Sequence, residues 1–175
     1  MRLNLRVALI LLIGLVAAGG LWSGLQAPGS EGVDRASKAS LKSVTLVLDF
    51  GADSGRQVKT LKVDNLEKDA SGWDVIVKSG TVVRGTSQYP TGFVCRLDGW
   101  PSEESQDCED TPAFTDGHWA YFVTSKKLGD GWLLSGQGAA SHISSCGEFE
   151  GWKWVGSGED VTPPAVLPAV GDCQP

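Results

Sequence analysis

The residues best suited to covalent chemistry in this sequence are its four cysteines, Cys95, Cys108, Cys146 and Cys173. Their number is even, and none of their spacings is the Cys-x-x-Cys pattern that zinc sites favour. The sequence therefore predicts two disulfides and no metal site. Of the three possible pairings we favour Cys95 with Cys108, which closes a short loop, and Cys146 with Cys173, which ties the C-terminal tail to the domain.

Histidine and serine give little support for catalysis. The chain has two histidines, His118 beside a predicted strand and His142 next to Ser141 in a serine-rich loop, and we interpret both as surface residues. Adjacency in sequence does not create the geometry of a triad, and no Gly-x-Ser-x-Gly motif is present. Residues 136–140 are rich in glycine but lack the Lys-Ser/Thr pair of a phosphate-binding loop. We expect no enzyme activity, no catalytic residue and no cofactor.

Tryptophan is the residue type most suited to contacts with a ligand. Six follow the apolar N-terminal segment, namely Trp73, Trp100, Trp119, Trp132, Trp152 and Trp154. Flat aromatic rings bind large planar molecules by stacking, and the same rings also pack protein cores. Trp100 is the strongest candidate for an exposed ring, because Gly99 and Pro101 on either side of it predict a turn.

Charge and composition limit the classes of function. The 175 residues carry 15 Lys+Arg against 21 Asp+Glu, a net charge of −6, which argues against a nucleic-acid partner. A hydrophobic share of 41% is sufficient for a buried core. The length predicts one domain with flanking tails.

The N-terminal segment predicts export. Arg2 and Arg6 precede residues 7–25, which contain no charged residue. A basic flank before an apolar stretch is typical of a signal peptide or membrane anchor that sends the following chain outward. Residues 25–27 are an imperfect cleavage site, and about 20 apolar residues also span a bilayer, so both alternatives stay open for residues 1–27. We expect a secreted or cell-surface protein, held at the membrane by this segment if it is uncleaved.

Apolar alternation predicts strands joined by turns in a meander. The strands are expected at residues 43–50, 58–63, 93–97, 119–124, 132–135 and 152–155. Residues 28–42 have no apolar period, which predicts a linker. Residues 43–156 are expected to form the folded domain, and residues 157–175 a proline-rich tail tied to it by a disulfide.

Residues 71–79 fit two structures. Ser71 and Asp74 have the spacing of a capping box, and Gly80 follows where a helix would end, which together predict a short helix. Trp73, Val75 and Val77 also alternate as in a strand. These local signals leave the choice between helix and strand open.

A series of short motifs resembles a known family. The motifs are Val-Thr-Leu-Val-Leu-Asp-Phe-Gly at 44–51, Gly-Phe-Val-Cys-Arg-Leu-Asp-Gly at 92–99, His-Trp-Ala-Tyr-Phe at 118–122, Gly-Trp at 131–132, Gly-Ala-Ala at 138–140 and Gly-Trp-Lys-Trp at 151–154. In this order they resemble exported bacterial proteins with a transcobalamin C-terminal-like domain, over about residues 43–156. The resemblance implies an α+β fold with a β-grasp-like, mostly antiparallel sheet and a helix at 71–79.

The resemblance also implies a function. Some members accompany energy-coupling-factor importers, so we expect an extracytoplasmic accessory domain that binds a small molecule and serves the uptake of a corrinoid or other vitamin. By matching the aromatic strand and the Gly-Trp turn of the family, Tyr121 and Trp132 join Trp100 as candidate ligand-binding residues. The alternative is a cell-envelope module that docks on a membrane transporter or another envelope protein without a small ligand.

Overall fold

Two sheets and one helix are present in the computed structural model of this protein, which describes residues 41–124, 131–166 and Cys173. These residues all belong to the unit Ala39–Pro175. The elements are β1 (Lys42–Asp49), β2 (Lys59–Leu66), α1 (Gly72–Lys78), β3 (Val83–Gly85), β4 (Val94–Leu97), β5 (His118–Thr124), β6 (Trp132–Leu134) and β7 (Phe149–Val155). Short 3₁₀ turns cover Ala52–Ser54 and Phe114–Asp116.

The main sheet is mixed, with the strand order β2-β1-β7-β5-β6. Every neighbouring pair is antiparallel except β1 and β7, which run parallel at its centre. The prediction of a mostly antiparallel sheet is confirmed, whereas the predicted meander is wrong for the last strand. β7 lies between β1 and β5, and almost all of its side chains are buried, as in a central strand covered on both faces.

The predicted strand at 93–97 is observed as β4, but it lies outside the main sheet. It pairs antiparallel with β3, a strand within a segment for which the sequence indicated only turns. β3 has three residues, too few for alternation to reveal it.

Residues 71–79 adopt the helical alternative. Asp74 N donates to Ser71 Oγ at 3.3 Å and Ser71 N donates to Asp74 Oδ2 at 2.8 Å, which completes the capping box. Helical spacing buries Val75 and Ile76 against the sheet and leaves Val77 56% exposed. A strand would have placed Val75 and Val77 on one face, and the core accepts only one of them.

The two faces of the main sheet are covered differently. Alternate residues of β1, β5 and β7 pack with α1 in the larger core, which includes Trp119, Trp152 and Trp154. The opposite face carries Phe122, Val155 and the ring of Trp132. Part of the C-terminal tail lies on this second face.

The contacts of the tail are specific. Ala165 N donates to Asp49 Oδ2 at 3.0 Å, and Trp132 Nε1 donates to the carbonyl of Val166 at 2.8 Å. A Cβ on Gly151 would lie only 2.8 Å from Cγ of Pro164. The tail therefore closes over a strand position where only glycine leaves room.

Both predicted disulfides are formed. Cys95 pairs with Cys108 at a Cα separation of 5.7 Å, and Cys146 pairs with Cys173 at 5.3 Å. All four cysteines are bonded, which indicates an oxidising environment outside the cytoplasm.

The predicted leader, residues 1–27, and the predicted linker as far as residue 40 lie outside the described residues. β1 begins at Lys42, the last residue of the predicted linker. Within residues 41–124 and 131–166, no helix combines the length and the apolar character needed to cross a bilayer.

Candidate functional site

Trp100 occupies the predicted turn after β4 and is partly exposed. Gly99 has φ +76°, a conformation that glycine adopts without strain. The Arg56 guanidinium lies 5.7 Å from the Trp100 ring centroid, and Trp154 meets Trp100 edge to face at 6.4 Å. The ring is thus held between a cation at the surface and an aromatic residue of the core.

The structure does not bring Tyr121 and Trp132 together with Trp100. Tyr121 is 7% exposed and stacks on Trp152 in the larger core, with ring centroids 4.7 Å apart. Trp132 lies on the opposite face of the sheet, where it donates to the tail. Trp100 and Tyr121 thus contact the larger core and Trp132 the opposite face, and no common groove joins the three rings in the described part of the chain.

A buried polar cluster lies at the start of β7. Glu150 is fully buried and accepts a short hydrogen bond from Ser144 Oγ through Oε1. Glu148 Oε1 lies 3.0 Å from His142 Nε2, and Glu148 Oε2 accepts from Ser145 N at 2.5 Å. We call His142, Ser144, Glu148 and Glu150, together with Tyr121, the β7 cluster.

Backbone hydrogen bonds hold the loop before β7 against the N-terminal end of α1. Gly72 N donates to the carbonyl of His142 at 3.0 Å, and Ser144 N donates to that of Ala70 at 3.3 Å. Gly147 N donates to the carbonyl of Ser43 at 2.8 Å, which joins the same loop to β1. The cluster is therefore positioned by three elements that are distant in sequence.

Glycine at position 72 brings the helix close to the cluster. A Cβ there would collide with the Tyr121 hydroxyl and lie 2.9 Å from Glu150 Oε2. Among the described residues, neither Tyr121 Oη nor Glu150 Oε2 makes a hydrogen bond of normal geometry. The two buried oxygens are thus each other's polar neighbour, in a contact that is not an ideal hydrogen bond.

Burial dominates the electrostatics of the cluster. It raises the pKa of Glu150 above its ordinary value, and hydrogen bonds from the Ser144 and Tyr121 hydroxyls offset only part of that effect. Burial also raises the pKa of Tyr121, and both the charge of Glu150 and its hydrogen bond with the Tyr121 hydroxyl add to the rise. The carboxyl of Glu150 therefore holds its proton more tightly than a solvated glutamic acid does.

A buried lysine lies beside the cluster. Lys42 Nζ donates to the carbonyls of Lys68, Ala70 and Ser144 at 3.2, 2.8 and 2.5 Å. Burial lowers its pKa, and the charges of Glu150 and Glu148 oppose that shift. The ammonium group thus satisfies backbone acceptors, and no carboxylate lies within ion-pair distance of it in the described residues.

Neither histidine is the surface residue that the sequence indicated. His118 is 7% exposed, because the Phe114 ring covers it at a centroid distance of 4.6 Å, and its burial lowers its pKa. His142 keeps 18% of its side chain exposed and faces Glu148. Ser144 donates to Glu150 rather than to His142, so the serine-rich loop forms no Ser-His pair through this residue.

An open depression of about 500 Å³ lies along β2 and α1. Its lining includes Glu67, Asp69, Asp74 and Lys78 but none of the aromatic candidates. A site for a planar apolar ligand needs apolar and aromatic walls, so this depression is a poor match for the predicted ligand.

Sequence reasoning missed the β7 cluster. One signal was available. Glu150, Trp152 and Trp154 are alternate residues, so in a strand that starts at Phe149 their side chains all point toward the core. The predicted strand began at 152, which hid this signal. The contact of Glu148 with His142 depends on the loop conformation and has no local signature.

Neither a protein-family model nor a curated protein matches this chain in sequence. The resemblance to transcobalamin C-terminal-like domains, and the function that it implies, therefore remain predictions.

Proposed function

We propose that this chain carries a β-grasp-like, noncatalytic domain that binds a small molecule outside the cytoplasm. The strand order supports such a fold, because the first and last strands are parallel neighbours at the centre of the sheet and α1 packs on one face. The two disulfides support the extracytoplasmic setting. A corrinoid or other vitamin as ligand, and an importer as partner, are proposed on the sequence resemblance.

The observation that carries the proposal is the position of Trp100. Of the three candidate rings, it is the one that reaches the surface without a hydrogen bond to the tail and without burial in the core. Behind it, Trp154 contacts Trp119 at 5.7 Å, so aromatic packing anchors the ring on the sheet. A rigid, partly exposed indole offers stacking area to a planar ligand with little loss of side-chain entropy.

A cationic rim adds a second means of recognition. Arg56 lies over both Phe50 and Trp100, at 5.2 and 5.7 Å from the ring centroids, and Lys59 lies 5.7 Å from the centroid of Phe50. Lys59 is paired with Asp98 at 2.7 Å, whereas Arg56 donates to the carbonyl of Asp98. The guanidinium is therefore available for an anionic group on a ligand that stacks on Trp100.

The test is a thermal-shift titration of the full chain in mild detergent with its disulfides intact. Cobalamins and thiamine-like vitamins are the probes, and saturation at about 100 times Kd stabilises the fold by about 2.7 kcal/mol. Trp100→Ala should remove the shift measured against its own ligand-free melting temperature. Trp132→Phe, on the opposite face, should keep it. The proposed site would be refuted if no probe raises the melting temperature, or if a rise in melting temperature persists in Trp100→Ala.

A second candidate function is docking on a membrane transporter or another envelope protein, which the two edges of the main sheet favour. β6 exposes Leu133 and Leu134, at 48% and 58%, whereas β2 at the other edge presents Lys59, Lys62 and Asp64. Charged residues disfavour the pairing of an edge strand with another chain, whereas an apolar edge strand can pair with a strand of a partner. The β6 edge is therefore the better candidate for docking.

The docking candidate has its own test. An identified transporter should copurify with the chain from native membranes in a fixed ratio, and Leu133→Lys should abolish this association. The matched control Thr60→Lys adds the same charge to β2 and should leave the association intact. Equal loss in both variants would mean that charge alone weakens the association, and the β6 edge would then have no special role.

A further inference from the structure

Three side chains of types that bind metal ions converge at the start of β7. Single donor atoms of His142, Glu148 and Glu150 all lie within 4.8 Å of one another, and all three residues are at least partly buried. We propose that these residues bind a divalent transition-metal ion, with Zn²⁺ as the probe. This site is separate from the proposed ligand surface, since Glu150 and Trp154 are about 13 Å apart along β7.

The imperfect contact between the Tyr121 hydroxyl and Glu150 supports the assignment independently of this convergence. Tyr121 is more than nine-tenths buried, and its hydroxyl makes no hydrogen bond of normal geometry among the described residues. It lies next to Glu150 Oε2, and the two oxygens are each other's polar neighbour. Buried polar atoms normally have well-formed partners, and a bound cation would give Glu150 a second one while the Tyr121 hydroxyl donates to the same carboxylate.

The donor set fits a transition metal better than calcium. One imidazole nitrogen with two carboxylate oxygens suits Zn²⁺, whereas Ca²⁺ takes six to eight oxygens. Neighbouring donors around tetrahedral zinc lie about 3.4 Å apart, and His142 Nε2 and Glu148 Oε1 are already 3.0 Å apart. Of the three, Glu150 lies deepest, and one of its carboxylate oxygens would complete the donor set.

Lys42 does not neutralise the two glutamates. Its ammonium group donates to three backbone carbonyls, and it forms no ion pair with Glu148 or Glu150 within the described residues. Two carboxyl groups and a single lysine therefore share one largely buried region without an ion pair between them. A divalent ion would supply a positive charge in direct contact with the carboxyl groups.

A purely structural role for the same side chains predicts a different result when Zn²⁺ is added. Hydrogen bonds from His142 to Glu148 and from Ser144 to Glu150 also fasten the loop to β7. Were this their only role, substitutions would change stability, and Zn²⁺ would bind no more tightly here than at other acidic residues. The two roles therefore separate in a direct titration.

The experiment is a Zn²⁺ titration of the full, oxidised chain in detergent after treatment with a chelator, followed by calorimetry and by imidazole NMR signals. The chain has only two histidines, so His118 is an internal reference for His142. Zn²⁺ should shift the signals of His142 and leave those of His118 in place. This readout uses the unchanged protein and does not depend on whether a variant folds.

Variants give the second readout. His142→Ala and Glu150→Gln should each weaken Zn²⁺ binding by at least ~10-fold. Glu104→Gln removes the same charge from an exposed loop residue and should leave binding unchanged. The proposal is overturned if no saturable binding is seen, if the signals of His142 do not move, or if His142→Ala binds Zn²⁺ as tightly as the unchanged chain.

Discussion

Gly72 offers a sharp test of the packing around the β7 cluster. It is the first residue of α1, where alanine is a better helix former than glycine by up to about 1 kcal/mol. Helix propensity alone therefore predicts that Gly72→Ala stabilises the protein. The surroundings predict the opposite, because the new Cβ would collide with the Tyr121 hydroxyl and lie 2.9 Å from Glu150 Oε2.

The sizes of the two effects decide the outcome. Inserting a methyl group into a well-packed core costs about 1–3 kcal/mol, since neighbouring side chains or the backbone must move. Tyr121 stacks on Trp152 and cannot withdraw freely, and Glu150 is fully buried. We expect Gly72→Ala to lower the free energy of unfolding by about 1–2 kcal/mol after the gain in helix propensity is included.

Urea unfolding of the oxidised chain measures this difference. Gly136→Ala is the matched control, because a Cβ on Gly136 would meet nothing within 4 Å, and it should be close to neutral. Tyr121→Phe removes the colliding oxygen, so the double variant with Gly72→Ala should recover part of the loss. An unchanged or increased stability of Gly72→Ala would refute this account of the contact between α1 and the sheet.

Three further predictions concern the disulfides and the buried carboxylates. Replacing both Cys146 and Cys173 with serine should lower the free energy of unfolding by about 3–4 kcal/mol, because the disulfide spans 27 residues. Urea unfolding without reductant measures this loss, and a loss under about 1 kcal/mol would contradict the prediction. Burial alone would raise the pKa of Asp49, but hydrogen bonds from Lys153, Ala165 and Gly51 hold it below its ordinary 3.8. The contribution of Asp49 to stability is therefore complete above pH 3.8, and it is lost as the pH falls through the lower pKa of the folded state. Asp49→Asn should therefore lose less stability on acidification than the unchanged chain, and parallel pH profiles of melting temperature would count against this. The raised pKa of Glu150 acts in the other direction: stability falls as the pH rises above the ordinary 4.5, so Glu150→Gln should flatten that decline in metal-free solution, and an unaltered profile would disprove it.

The segment at 71–79 shows where local information ends. The capping box of Ser71 and Asp74 and the alternation of Val75 with Val77 are equally readable in the sequence. Only the shape of the core chooses between them, because it accepts Val75 and Ile76 together and leaves Val77 exposed. Helical spacing fits that surface and strand spacing does not.

The candidate sites show the same limit. The turn at Trp100 follows from its neighbouring glycine and proline, and the structure leaves the ring partly exposed and packed against the core. Burial of Tyr121 and the hydrogen bond of Trp132 to the tail depend on what covers each face of the sheet, which residue types do not encode. The β7 cluster needs a loop, two strands and a helix end to come together.

From its amino acids alone, this chain shows its main strands, its preference for an oxidising environment and the pairing of its cysteines, because alternation, turn residues and loop length act over short stretches. The tertiary structure decided that the last strand enters between β1 and β5, that the tail covers one face, and that Glu150 lies buried beside Tyr121. The first of these features depends on pairing between residues about 100 positions apart, and all three have a favourable free energy only when the whole sheet forms.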